Sequence, residues 1–413
     1  FGGRYIVSAQ DADMVASAYV NGRLGPREGR DTLAVIPLDG DPRDWRAHEV
    51  FASNSVASPP AVVDISPDGR YAVVVETWTE RPDNDDTHVF GDLAFGNAIT
   101  LFDLAEPTAP VEIQRIEGPM RPDAVRFSSD GGMLAVTYHP AGAGTDAPLV
   151  LHPFADGRIG DGVAPAIPGW PTGERLIDVD WHPSEPILAM IDASGGATLR
   201  FARVTADMAV EPFGNVVDIE RAPYRVEFTP DGRHAVVNAL YWGPDIAGTW
   251  IEAPIGSVVT VRMNAAVGAD GAVRHAFIDR AETGVSPEGL AISPDGRWIA
   301  TTNLERSYLP YDDPRITWFS LITLLSLDQE TGLMERVGEF AYDGVLPEAA
   351  VFDNSSRFLA VANYDHFEDR TTGSSIDFWR LQADPLDPSN TQLVKTPYAV
   401  PVARGAHSMV IAR

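Results

Sequence analysis

Asp123, Glu288, Glu348 and His407 stand at one and the same point of a repeated phrase: each lies four residues ahead of the last apolar residue of a short apolar run. The same position holds Ala61, Ile177 and Tyr224 in the other copies. If the copies are arranged about one axis, three carboxylates and an imidazole share a mouth. Like charges held close raise one another's pKa, and a cation between them relieves the repulsion. Oxygen ligands without cysteine suit Ca²⁺ or Mg²⁺, and His407 adds tolerance for Mn²⁺ or Zn²⁺. An ion on Asp123, Glu288, Glu348 and His407 would polarise a carbonyl, while His407, Glu288 or Glu348 moves the proton. The opposing reading is that Glu288 and Glu348 only cap the start of a strand by accepting exposed amide protons.

A second position, at the far end of the following apolar run, reads Glu76, Tyr138, Asp192, Asn238, Asn303, Asn363 and Gln10. It is polar or hydrogen-bonding in every copy and is expected to face the same mouth. Asn303 and Asn363 could equally serve to stop the strand in a turn. Arg225 and Arg121, with Arg175 near them, are the cations expected to anchor a substrate carboxylate. Trp78, Tyr241, Trp242, Tyr308, Tyr311, Tyr364 and Phe367 fall in long segments beyond the second run. They are expected either to wall the mouth or to pack those segments together.

The elements that must position these residues are set by the repeat itself. The phrase is seen in SPEGLAISPDGRWIATTN (286–303) and again at 59–77, 121–139, 175–192, 222–239 and 346–365. A seventh copy is split between the ends, GAHSMVIAR (405–413) followed by FGGRYIVSAQD (1–11). Each phrase reads as two short strands joined by a tight turn, in which Gly supplies positive φ and Asp caps its own backbone. Further alternating strands follow, such as GNAITLFDL (96–104) and VEIQRI (111–116), giving four antiparallel strands per unit. Seven such units in 413 residues predict an all-β, seven-bladed β-propeller as a single domain over 1–413, its last blade closed by the N- and C-terminal strands. Each unit averages about 59 residues, longer than the roughly 40–45 of a compact blade. The excess falls in loops that open on the upper face, at 11–31, 77–97, 138–147, 239–256, 304–320 and 364–374, with 193–197 short. Tight turns occupy the lower face.

A formal charge of −28 and the lack of any basic stripe argue against nucleic acid as a partner. No stretch is long and apolar enough to span a bilayer. The chain has no cysteine, which removes disulfides, thiolate metal sites and a cysteine nucleophile. Absence of cysteine over this length suits the periplasm or the exterior better than the cytoplasm, which is the alternative, and a first residue Phe1 is compatible with a removed leader. The runs DNDD (83–86) and DADM (11–14) resemble parts of calcium loops but lack the glycine and distal Glu of that pattern, so they are expected to be solvated loop acids. His88, His139, His182 and His366 show no zinc spacing. No nucleophile elbow, phosphate loop or dinucleotide fingerprint is present, so no organic cofactor is expected.

The phrase PEGLAISPDGRWIATTN resembles the YVTN-repeat and lactonase-like seven-bladed propellers, a superfamily of lactonases, cycloisomerases and non-enzymatic surface proteins. In the phosphogluconolactonase-like members an Arg-His pair stands ahead of the inner strand. Here the matching positions hold Asp123-Ala124, Glu288-Gly289 and Glu348-Ala349, with Tyr224-Arg225 and His407-Ser408 keeping one such group each, a departure from the sugar-phosphate pattern. SPEG and LPEA are similar to a metal-binding phrase of six-bladed calcium lactonases, which implies Glu288 and Glu348 as ligands. The unit is expected to be a monomer with one of two functions: a small-molecule site doing lactonase-like hydrolysis or isomerisation, or a non-catalytic exported propeller whose acidic, aromatic upper face docks a protein or envelope polymer.

Overall fold

The computed structural model describes residues 1–57, 59–83, 85–140, 147–193, 196–269, 271–367, 373–384 and 387–413. Parts of three expected upper loops (141–146, 194–195 and 368–372) and Asn84 of the DNDD run lie outside them. The described strands fall into seven antiparallel blades whose inner strands come in chain order. These are Val63–Ile65, Pro122–Phe127, Leu176–Trp181, Pro223–Phe228, Gly289–Ile292, Ala349–Phe352 and Ala406–Ala412. Each inner strand touches the next, and the last, Ala406–Ala412, touches the first, so the ring closes.

Closure is made by the split copy. Tyr5–Gln10 pairs antiparallel with Ala406–Ala412 on one side and with Thr32–Pro37 on the other, placing residue 5 opposite residue 412. The expected tight turns have one chemistry. In blade one the Ser66 hydroxyl donates to Asp68 at 2.6 Å, Asp68 accepts from the Arg70 amide at 2.9 Å, and Gly69 takes φ +69°. Thr229–Asp231–Gly232 and Ser293–Asp295–Gly296 repeat the arrangement. Left-handed φ at the fourth position favours glycine because it has no Cβ to clash.

Neighbouring blades share apolar cores. Val7 and Leu33 of blade seven, Val74 and Ile99 of blade one, and Val125 and Val136 of blade two belong to one buried cluster. Acids on the inner strands add directed links between blades: Asp64 accepts from the Phe127 amide at 2.7 Å, and Asp180 from the Phe228 amide at 2.7 Å. On the lower face the turns surround an axial funnel of about 570 Å³, lined by Arg126, Asp180, Arg225, Glu227 and Arg413 among others. On the upper face the long loops pack into their own apolar cluster, with Met14, Leu24, Val56, Ile251, Tyr308 and Tyr364 buried in it. No described helix is long and apolar enough to cross a membrane.

Candidate functional site

The backbone turns into the inner strands by one device. Two residues ahead of the repeated ring position, φ is positive in five blades: Arg121 (62°), Ala222 (52°), Ser286 (52°), Leu346 (49°) and Gly405 (89°). Four of these are not glycine, and left-handed backbone with a Cβ costs energy that the surroundings must hold in place. What holds it is a hydrogen bond from the loop that follows the second strand. The Arg121 carbonyl accepts from His139 N, that of Ala222 from Leu240 N, that of Ser286 from Leu304 N and that of Gly405 from Asp11 N. In blades two, three and four the ring residue then falls on a register shift, so Asp123, Ile177 and Tyr224 are re-aimed by bulges. In blade five Glu288 precedes Gly289, where a Cβ would collide with the Thr302 hydroxyl.

Glu288 therefore projects into a cavity of about 200 Å³ at the upper mouth, bounded by Tyr19, Ala57, Trp78, Phe90, Tyr224, Trp242 and Trp250. Trp242 is fixed by its indole N–H, which donates to Ser286 Oγ at 2.9 Å, and Trp78 by donation to the Ala57 carbonyl at 3.1 Å. Tyr224, Trp242 and Trp250 follow one another with ring centroids 6.2 and 5.9 Å apart. Glu288 is 2% exposed, and its Oε1 has no hydrogen-bond partner among the described residues. Burial pushes its carboxyl up to about 8, against a lowering by the Tyr224 hydroxyl. Glu348 is pushed well above the usual carboxylate range by burial and then by Glu288, while the Tyr19 hydroxyl, 3.3 Å away, opposes the shift. Two neighbouring acids thus hold protons at a pH where exposed carboxyls have lost them.

The other expected ligands are committed elsewhere. Asp123 is gripped by Arg175 through two bonds of 2.7 and 2.8 Å. His407 bonds Asn54 Oδ1 through Nε2 at 2.7 Å, and burial drives its pKa down to about 3, so the imidazole is neutral. Asp123, Glu288, Glu348 and His407 do not converge as one ligand set. Among the described residues, the one group of three or more acids or histidines with ligand atoms within 4.8 Å of one another is Asp11, Asp13 and Asp31. Carboxylate oxygens in that number can hold a hard cation such as Ca²⁺ or Mg²⁺. The expectation that DADM is solvated is thus corrected: Asp11 and Asp13 are buried, because loop 11–31 folds in over the axis. Asp11 accepts from Val56 N at 2.9 Å and Asp31 from Asn54 N at 3.3 Å, stitching that loop to the stretch that carries Ala57. Asp83 and Asp85 of the DNDD run are exposed, as expected.

Arg225 is another correction. Its strand bulges at 224–225, which sends Tyr224 to the upper cavity and the Arg225 guanidinium to the lower funnel, 3.4 Å from Glu227. Arg121 remains on the upper side, stacked over Trp78 and Phe95 at 5.2 and 4.8 Å, with burial lowering it to about 10. Glu76 turns outward to Arg115 at 3.5 Å on the outermost strand of its own blade. Asp192 is buried between Leu176 and Thr198 in blade three. Asn303 bonds Leu321 O and Thr323 Oγ1 and so ties strands within blade five, while Asn363 donates to Ser375 within blade six and accepts from Tyr342 on the outer strand of blade five.

The aromatic residues divide. Trp78 and Trp242 wall the cavity, whereas Tyr308 and Tyr364 are buried in the loop cluster. Tyr311 and Phe367 flank the exposed Trp318. The walls missed from sequence are Tyr19, Phe90 and Trp250; their aromatic type within lengthened upper loops is the signal that could have found them.

With this geometry in hand, the solved structures can be compared. A periplasmic gluconolactonase from Pseudomonas aeruginosa superposes with TM-score 0.64 over 99% of both chains at 16% identity. A Bacteroides uniformis protein named as a candidate 6-phosphogluconolactonase gives 0.63 at 14% identity, over 98% of this chain and 99% of the other. A functionally unknown protein from Desulfotomaculum acetoxidans gives 0.64 at 11%, over 99% of both. The fold is that of the lactonase-like propellers. No protein-family model and no curated protein sequence matches the chain. At these identities the lactonase-like propellers share the scaffold with this chain, and its site must be argued from its own residues.

Proposed function

We propose that the upper cavity is a small-molecule site and that the protein is a lactonase-like hydrolase in which Glu288 is the general base. The observation that carries this reading is a carboxyl with pKa near 8, unpartnered on one oxygen, in an aromatic cavity. A base is most effective when its pKa lies close to the working pH. In its ionised form Glu288 takes a proton from a water that attacks the ring carbonyl. It then returns that proton to the ring oxygen as the C–O bond breaks, giving the open hydroxy acid. Glu348, raised further by Glu288, keeps its proton when Glu288 ionises, and the Tyr19 and Tyr224 hydroxyls bond the Glu348 and Glu288 carboxyls respectively. Any divalent cation would have to be held away from this cavity, since Asp123 and His407 are engaged by Arg175 and Asn54. Periplasmic or secreted location is retained as part of the proposal.

The test is a pH-stat assay over five- and six-membered lactones with the wild type, Glu288→Gln and Glu348→Gln. We expect turnover that rises with pH up to about 8 and falls at least a hundredfold in Glu288→Gln. No turnover of any lactone, or full turnover by Glu288→Gln, would sink the reading.

A second reading, partner docking on the upper face, has one specific observation in its favour. Tyr311, Trp318 and Phe319 are exposed together, with Phe367 against Trp318 at 5.4 Å. Exposed aromatic clusters of this kind are typical of interface anchors. Loss of partner capture from an envelope extract by Trp318→Ala, with lactone turnover intact, would support docking as a separate role.

A further inference from the structure

We infer that the upper cavity takes a small organic cation, an alkylammonium group seated among Tyr19, Trp78, Phe90, Tyr224, Trp242 and Trp250 with Glu288 as its counter-ion. The inference rests on the reading of this cavity as the ligand site, but not on Glu288 doing chemistry.

Composition of the walls carries the first step. Six aromatic rings and one alanine methyl surround the space, and Glu288 supplies the one carboxyl among them, which a bound cation would hold in its ionised form. Aromatic faces are electron-rich and attract a cation, most strongly when it is stripped of water, as it would be here. An anion would find no cationic partner in the lining, which holds no Arg or Lys: Arg121 is stacked on Trp78 and Phe95, and Arg175 grips Asp123. Sugar phosphates and aldonate groups are therefore poor fits as the portion that enters this cavity.

Unmet bonding carries the second step. Glu288 Oε1 and Trp250 Nε1 are both buried without a partner among the described residues. Buried polar atoms are rarely left so unless something satisfies them. A carboxyl acceptor and an indole donor on the walls of one cavity suit a ligand that bears a positive head and a hydroxyl or carbonyl oxygen. Glu348 stands behind Glu288, so the field at the cavity floor is negative whenever either acid ionises.

Size carries the third. About 200 Å³ is less than the roughly 300–1,000 Å³ of a drug-sized site, and much more than a bare metal ion needs. It suits a methylated ammonium head with a short chain. The overall charge of −28 favours approach of cations over anions.

The deciding experiment compares choline with 3,3-dimethylbutan-1-ol, its uncharged carbon isostere, by titration against the fluorescence of the cavity tryptophans and by calorimetry at pH 7.5. Choline is expected to bind at least tenfold more tightly than the alcohol. Glu288→Gln should remove most of that preference while leaving the alcohol's affinity unchanged. Trp242→Ala should weaken choline at least tenfold, and Trp242→Phe, which keeps a ring in place should the alanine variant misfold, only a few-fold. Equal binding of the two probes, no binding of either at millimolar concentration, or a charge preference that survives Glu288→Gln overturns the inference. Failure here is distinguishable from failure of the hydrolase reading. Choline bound as described with no lactone or ester turned over defeats only the hydrolase; lactone turnover that choline does not inhibit defeats only the cation site.

Discussion

The side-chain amide of Asn238 donates to the carbonyl oxygen of Glu288 at 3.0 Å, across the boundary between blades four and five. The same amide reaches the Pro287 carbonyl, and the Asn238 oxygen accepts from the Arg225 backbone amide at 2.7 Å. One buried side chain thus fixes the backbone of Glu288 and the bulge that turns Tyr224 towards it. Asn238 is a positioning residue for the cavity.

Asn238→Ala should therefore do two things at once. It leaves two carbonyls and one amide without their partner, which costs about 1–3 kcal/mol in urea unfolding. It should also lower kcat on a lactone or ester substrate more than it raises KM, because the base is displaced but the walls remain. Asn303→Ala, a change of the same type within blade five, should cost similar stability with kcat unchanged; equal kinetic effects in both variants would remove the positioning role.

Stability should decline as pH rises through neutrality, the reverse of ordinary acid unfolding. Glu288, with its carboxyl raised from 4.5 to about 8, binds its proton more tightly folded than unfolded. Its contribution is complete below pH 4.5 and is lost as pH rises through about 8. Asp180, also raised to about 8 by burial, acts in the same sense. His407 and His139, both held down to about 3 by burial, act oppositely: their contribution is complete above 6.5 and is lost as pH falls towards 3. Between pH 6.5 and 8 the carboxyls dominate, each removing up to about 1.4 kcal/mol per pH unit. Thermal melts should show Tm falling across this window, with a shallower fall in Glu288→Gln. A Tm that rises from pH 6.5 to 8 would contradict it.

The propeller was legible because the repeat is a local, self-consistent signal: SPDG turns and apolar runs recur, and the terminal halves complete one another. The ring position was legible too, since equivalent positions in a closed array must face one axis. What each ring residue does there was not. Asp123 faces Arg175 and Tyr224 faces the cavity because bulges re-aim them, and a bulge leaves no mark in hydrophobic periodicity. The Arg225 guanidinium lies on the lower face, not the upper, for the same reason. Asp11 and Asp13 looked like solvated loop acids because only the folding of loop 11–31 over the axis buries them, a consequence of contacts with residues 52–57 that spacing does not encode.

The Asp123–Arg175 pair offers a test of how charge is tolerated at the axis. Asp123 is fully buried and Arg175 is partly buried. Removing one partner strands the other, so Arg175→Ala should cost about 3 kcal/mol or more. Replacing both, with Asp123→Leu and Arg175→Met, should recover most of the loss, because neither charge then remains buried alone. A double variant as unstable as the single would mean that the pair itself, and not the stranded acid, accounts for the effect.

Closure of the ring is the most exposed claim. The strand Ala406–Ala412 is the inner strand of blade seven, and Tyr5–Gln10 pairs along its whole length. Deleting residues 405–413 would open one edge of Tyr5–Gln10, free Asn54 from His407 and release the Asp11 amide from Gly405. The inner strands of blades six and one would also lose a neighbour. An unpaired apolar edge beside two exposed cores is a template for association between chains. The truncated protein should therefore elute as aggregate in size-exclusion chromatography, and supplying the missing nine residues as a separate peptide should restore part of the monomer peak. A truncated chain that remained monomeric with an unchanged Tm would mean that blade seven does not depend on the terminal strand, and the arrangement of the ring residues about one axis would have to be abandoned with it.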